Sequence, residues 1–220
     1  DAAPGAPCLL TRAVPYPGDR VHEVKKWRAL VAHVGATGPA RPELPVLPAE
    51  AAEAGALLAS LSPRRPIVAL HAGSRDAARR WPPERFAALA DQLWDTQGCQ
   101  IVLTGTPSDA EVNSLVCRVC RAPVLDLTGK TSLGTLAALL ERVDLLVTND
   151  SGPSHVAWAR RVPSVILFGP TDPARWAPLD GVLHRAVKSP GYNLRNLGLA
   201  DVWPAVAEGL ALARRKRRPS

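Results

Sequence analysis

The sequence predicts an α/β protein: a parallel sheet with helices on both faces. Three observations carry this. Short continuous apolar runs recur at residues 67–70, 101–103, 145–147 and 165–168, and runs without polar alternation suit strands covered on both faces. Each run ends in a polar turn that holds a glycine: Gly73, Gly105, Gly152 and Gly169. Between runs the apolar residues recur at helical spacing, and strands alternating with helices call for parallel pairing with crossover connections.

The amino-terminal part is less regular. Residues 1–20 carry Pro4, Pro7, Pro15 and Pro17 and show no period. Val24, Trp27, Leu30, Val31 and Val34 then recur at helical spacing, with Gly35 placed as a stop. Closely spaced prolines over 38–45 exclude both helix and central strand, so this stretch reads as a linker, and 48–61 reads as a second helix rich in Ala and Leu. The chain therefore divides into an irregular segment with helices and a linker (1–62), a sheet domain (63–198), and a closing helix with a basic tail (199–220).

Within the sheet domain, strand 67–70 runs into His71-Ala72-Gly73-Ser74, and a helix from Pro83 places Phe86, Leu89, Ala90 and Leu93 on one face before Gly98 ends it. Strand 101–103 ends in Thr104-Gly105, and Ser108 with Glu111 forms the pattern of a capping box that starts the next helix. Strand 124–127 leads through Thr128-Gly129-Lys130-Thr131 to a helix capped by Ser132, with Leu133, Leu136 and Leu140 inward. Strands at 145–147 and 165–168 follow, with a sixth at 184–187.

A chain of 220 residues, 46% hydrophobic and 5% aromatic, can bury one large core or two modest ones. No run of eighteen apolar residues and no signal-peptide pattern is present, so neither a membrane span nor a secretory leader is expected. Methionine is missing even at position 1, which suggests a processed or truncated piece of a longer chain. The net charge of +7 does not make a nucleic-acid platform. Five basic residues are clustered at 214–218, and the other 22 face 20 acidic ones, so the tail reads as a solvated end or a contact for anionic lipid headgroups. Cys8, Cys99, Cys117 and Cys120 form no disulfide framework and no second pair has zinc-ligand spacing. Buried or half-buried thiols in a reducing compartment, and no metal site, are the expectation.

The chemistry concentrates at 144–155. There a buried strand stops in Asp150-Ser151-Gly152, and Pro153 opens a helix, since proline suits a first-turn position whose N–H has no partner. Gly152 lets an anion approach the backbone. The amides of Ser154 and His155, with the helix dipole, favour phosphate there. Asp150 or Ser151 as a helix cap alone is the plainer alternative. Two better-known phosphate motifs fail: no G-x-G-x-x-G follows any strand, and Gly129-Lys130-Thr131 lacks the Walker glycine, since position 124 is Val.

The remaining turns fall at the same sheet edge: Gly73-Ser74 with Arg79-Arg80-Trp81-Pro82, Thr104-Gly105, Thr128-Gly129-Lys130, and Gly169 to Asp172. In order, the strings H-A-G-S-x5-R-W-P, V-L-T-G-T-P, L-T-G-K-T-S-L, T-N-D-S-G-P-x-H and F-G-P-T-D-P resemble the carboxyl-terminal domain of the family 9 glycosyltransferases, the bacterial heptosyltransferases of lipopolysaccharide core assembly. The resemblance covers about 66–179. It implies a Rossmann-like donor half of a GT-B two-domain enzyme, with inverting transfer of a sugar from a nucleotide donor, ADP-heptose, to a lipopolysaccharide core acceptor at the cytoplasmic side of the membrane.

By that resemblance Ser151 and Gly152 would hold the pyrophosphate, with Asp150 and His155 directed at sugar and phosphates. Ser74, Arg79 (where the family often has Lys), Arg80 and Lys130 would bind the donor, Thr104 and Gly105 would border the base, and Asp109 or Glu111 would reach the ribose. No cofactor is implied beyond the substrate nucleotide. The catalytic base would be a carboxylate of an amino-terminal domain. A non-catalytic sugar-nucleotide-binding module and a sugar-nucleotide epimerase are the alternatives, separated by whether added acceptor yields glycoside or free epimer.

Overall fold

In a computed structural model of the chain, residues 14–15, 18–39 and 41–217 are described. The prolines at 4, 7 and 17, Cys8 and Arg218 lie outside them. The chain forms two compact units: Asp1–Ala40 with Ala174–Trp176, and Arg41–Pro173 with Ala177–Ser220.

The smaller unit carries helix α1 (Glu23–Ala32), whose start is capped by His22 accepting from the Val24 amide at 3.2 Å. Glu23 holds Lys26 at 2.9 Å and Arg175 at 2.5 Å. Those bonds place its carboxyl below the usual range, the Arg175 hydrogen bond first and the Lys26 bond second. The apolar stripe is not covered: Trp27, Leu30, Val31 and Val34 are all exposed.

The larger unit is a sheet of six parallel strands: β1 (Ile67–His71), β2 (Gln100–Leu103), β3 (Val124–Asp126), β4 (Leu145–Asn149), β5 (Ser164–Phe168) and β6 (His184–Lys188). Their order is β3-β2-β1-β4-β5-β6, the doubly wound Rossmann order. Side chains alternate across it, as strand geometry requires. Val68, Leu70, Leu145, Val147, Val165 and Leu167 enter a core with α3 (Pro83–Gln97), α4 (Ala110–Val119) and α8 (Leu199–Arg217). Ile67, Ala69, Val102 and Leu146 enter a second core with α2 (Pro48–Leu57), α5 (Leu133–Leu140) and α6 (Gly152–Ala159). Gly98 closes α3 in the left-handed conformation, φ 63°, which glycine adopts without steric cost.

Several expectations are revised. Helix α2 belongs with the sheet rather than with the amino-terminal segment: Ala54 and Leu58 are buried in the second core, and Glu53 accepts from the Thr135 hydroxyl at 2.6 Å. The boundary falls at residue 41, not 62. The capping box before α4 is set two residues earlier, with Asp109 accepting from the Thr106 amide at 2.8 Å and its hydroxyl at 2.7 Å. Leu133 is 61% exposed while Leu136 and Leu140 point inward. The basic run at 214–217 continues α8 as its last turn, where positive charge complements the helix dipole.

Of the cysteines, Cys99 is buried and its thiol is pushed up to about 11 by that burial. Cys120 donates to Asp91 at 3.2 Å and is pushed up to about 12, by burial first and that carboxylate second. Cys117 is exposed, contrary to expectation, because its side of α4 faces solvent. Among the described residues no helix is long and apolar enough to cross a membrane, and no cluster of ligating side chains suits a metal.

Candidate functional site

The strand order reverses direction between β1 and β4, and a crevice beyond the strand carboxyl ends is where such sheets bind ligands. A cavity of about 650 Å³ occupies that position. Its walls come from the turn after β1 (His71, Ser74, Arg75, Arg80), the turn after β2 (Gly105, Thr106, Ser108, Asp109), the start of α5 (Thr131, Ser132, Leu133, Leu136) and the start of α6 (Ser151, Gly152, Pro153, Val156).

One buried side chain binds two of these turns together. Asn149, the last residue of β4 and fully buried, accepts from the Trp81 amide at 3.0 Å and donates to the Ala72 carbonyl at 2.9 Å. Trp81 in turn donates its ring N–H to the Leu197 carbonyl at 2.7 Å and packs edge-on against Phe86. The Arg80 guanidinium is fixed by its Nε, which donates to the Ser74 carbonyl at 2.8 Å, and the side chain borders the cavity.

The phosphate-type end lies at α6. Ser154 donates its amide back to the Ser151 carbonyl at 3.1 Å, so that donor is spent, contrary to expectation. The amides of Ser151 and Gly152 donate to nothing among the described residues. A Cβ built on Gly152 meets no atom within 4 Å outside its chain neighbours and its own helix, so the space beside this residue is open. Gly73 is the opposite case: a Cβ there would fall 2.2 Å from the Asp109 carboxylate, so only glycine lets the two turns meet.

Of the residues singled out in the sequence, Ser74, Arg80, Gly105, Ser151 and Gly152 border the cavity. The other five do not. Arg79 faces Asp150, Nη1 to Oδ2 3.6 Å, and Asp150 is 4% exposed. Thr104 is fully buried with its hydroxyl on His71 and the Leu70 carbonyl. Lys130 is exposed and donates to the Asp126 carbonyl at 2.8 Å. His155 lies against Trp158, ring centroids 6.5 Å apart.

His71, Asp109 and the apolar wall of Leu133, Leu136 and Val156 were missed or left secondary. Burial lowers the His71 pKa from 6.5 to about 4, with Asp109 opposing the shift. Between those values the unfolded chain binds the proton and the folded one does not, so stability rises with pH. At roughly 1.4 kcal/mol per pKa unit, the shift makes the fold about 3 kcal/mol less stable at pH 4 than at pH 7. Denaturant unfolding across pH 4–7 should show that slope, and His71→Asn should flatten it.

Strand order, crevice and open helix-start donors define a Rossmann-like α/β domain with an open cavity at its switch point. The sequence model of glycosyltransferase family 9 (heptosyltransferase) matches residues 2–193, and the chain belongs to that family. It is 38% identical over 125 residues to lipopolysaccharide heptosyltransferase 2 of Escherichia coli K12, a match covering 54% of this chain and 36% of that protein. The crystal structure of a family 9 glycosyl transferase from Veillonella parvula superposes with a TM-score of 0.85 at 24% identity, over 94% of this chain and 65% of that one. The E. coli ADP-heptose lipopolysaccharide heptosyltransferase II gives 0.70 at 29% identity, over 81% and 56%. The chain spans less than half the length of the curated relatives it matches.

Proposed function

We propose that this chain provides the sugar-nucleotide site of an inverting heptosyltransferase, with ADP-heptose as donor and a lipopolysaccharide core sugar as acceptor. The observation that carries the reading is the pair of open amides at Ser151 and Gly152, set at the positive end of α6 inside the switch-point cavity. A relative of 29% identity is named for ADP-heptose. In this reading the pyrophosphate lies over Gly152, Arg80 reaches its oxygens, and the base rests on Leu133 and Leu136.

The reaction is attack of an acceptor hydroxyl on the anomeric carbon, with the nucleoside diphosphate leaving from the opposite face. Negative charge grows on the departing phosphate. The helix-start amides and Arg80 are fixed before the reaction and oppose that charge. Arg79 is held by Asp150 and can turn to the phosphate in exchange. The proton of the acceptor hydroxyl needs a carboxylate, which we assign to the part of the relatives that this chain does not span. Work at the inner face of the cytoplasmic membrane, with the end of α8 against anionic lipid, fits this acceptor.

Arg79→Ala and Arg80→Ala should each weaken ADP binding about ten- to a hundredfold, the range for losing one charge-assisted hydrogen bond. Titration calorimetry measures this. Unchanged affinity in both variants would remove the phosphate site from this cavity.

A further inference from the structure

His71 ends β1 on the floor of the cavity, paired in register with Thr148 of β4. It is 6% exposed, and its Nδ1 lies 3.1 Å from the Thr104 hydroxyl. That hydroxyl also lies 3.3 Å from the Leu70 carbonyl, which accepts the Thr104 amide at 2.9 Å. With the hydroxyl proton turned to that carbonyl, Nδ1 carries the ring proton and donates, and Nε2 is a bare lone pair. Nε2 has no hydrogen-bond partner among the described residues, and the side chain borders the cavity. Burial keeps the ring neutral.

A second acceptor borders the same floor. The Asp109 carboxylate binds the Thr106 amide and hydroxyl through Oδ2, while its Oδ1 lies over Gly73. Both groups offer lone pairs and no proton. A phosphate oxygen is repelled there, and a base stacked by its face on the apolar wall leaves both acceptors unpaired. What satisfies them is a hydroxyl donor. The same cavity is bordered by Leu133 and Leu136 and by the open amides at Ser151 and Gly152, and with the base and pyrophosphate of a nucleotide on those two groups its sugar is left for His71 and Asp109.

We propose that His71, oriented by Thr104, determines specificity for a ribonucleotide by accepting a hydrogen bond at Nε2 from a ribose hydroxyl. The proposal rests on the nucleoside diphosphate reading. Thr104 is then a positioning residue, which explains a strand-end threonine that is fully buried and never touches the ligand.

The test is calorimetric titration of the 220-residue chain with ADP, 2′-deoxy-ADP and 3′-deoxy-ADP. ADP carries no transferred sugar, so any preference reports the ribose. The unsubstituted chain should prefer ADP over one deoxy analogue by about tenfold, the value of one hydrogen bond to an otherwise unpaired buried group. His71→Asn keeps an amide for Thr104 but removes the acceptor, so ADP should weaken about tenfold while that analogue binds as before. Thr104→Val frees the ring and should reduce the same preference. Equal affinity of the unsubstituted chain for all three nucleotides would overturn the assignment of His71, as would equal losses for all three in His71→Asn. Failure of the unsubstituted chain to bind ADP would instead remove the nucleotide reading itself. Nitrogen-15 histidine spectra of the unsubstituted chain do not depend on any variant folding: His71 should show a protonated Nδ1 and a bare Nε2 that shifts on adding ADP, and a protonated Nε2 would contradict the proposal.

Discussion

Gly152→Val is expected to lower ADP affinity at least a hundredfold while the melting temperature stays within a few degrees of the parent. The two halves of that result have separate causes. Gly152 is the first residue of α6, its φ is not in the left-handed region, and an added Cβ meets nothing within 4 Å. Valine there costs the fold only the small propensity differences of a helix start, under about 1 kcal/mol. In the proposed reading a phosphate reaches the Ser151 and Gly152 amides through that same open space. An isopropyl group placed in it holds a phosphate beyond hydrogen-bond distance and forfeits two charge-assisted contacts, each worth about 1.5–3 kcal/mol. A variant that melts like the parent and binds ADP equally well would make Gly152 a helix-start feature only.

The second large effect concerns turnover. Supplied with ADP-heptose and a lipopolysaccharide core acceptor, the 220-residue chain should release ADP by slow hydrolysis and form little glycoside. Among the residues bordering the cavity Asp109 is the one carboxylate, and its Oδ2 is already bound to Thr106. General-base assistance contributes about a hundred- to ten-thousandfold, and positioning of the acceptor contributes more. Product analysis by mass spectrometry distinguishes free heptose from glycoside. Rapid glycoside formation by this chain alone would place the base within it, with Asp150 and Asp172 the first to replace.

Strands β1, β2, β4 and β5 were legible because each is a short apolar run followed by a glycine turn, a pattern fixed locally by burial on two faces. The open helix start was legible because Ser151 and Gly152 lie within one strand-turn-helix passage. What was not legible depends on which turns the strand order brings together. His71 and Thr104 both end strands, and only the pairing of β1 with β2 shows that the histidine faces the cavity while the threonine supports it. The capping box was read at 108–111, but the spacing 106–109 fits as well, and Pro107, suited to the first helical position after a Thr106 cap, favours the observed one. The period of α1 marked an apolar face, but a period carries no information about what covers it.

The central claim is that the β1/β4 switch point holds a nucleoside diphosphate with its pyrophosphate on the start of α6. A crystal structure of the chain grown with ADP tests it most directly. Phosphate oxygens are expected within hydrogen-bond distance of the Ser151 and Gly152 amides, with Arg80 turned toward them and adenine against Leu133 and Leu136. ADP bound elsewhere, or a cavity left empty at millimolar nucleotide, would contradict it.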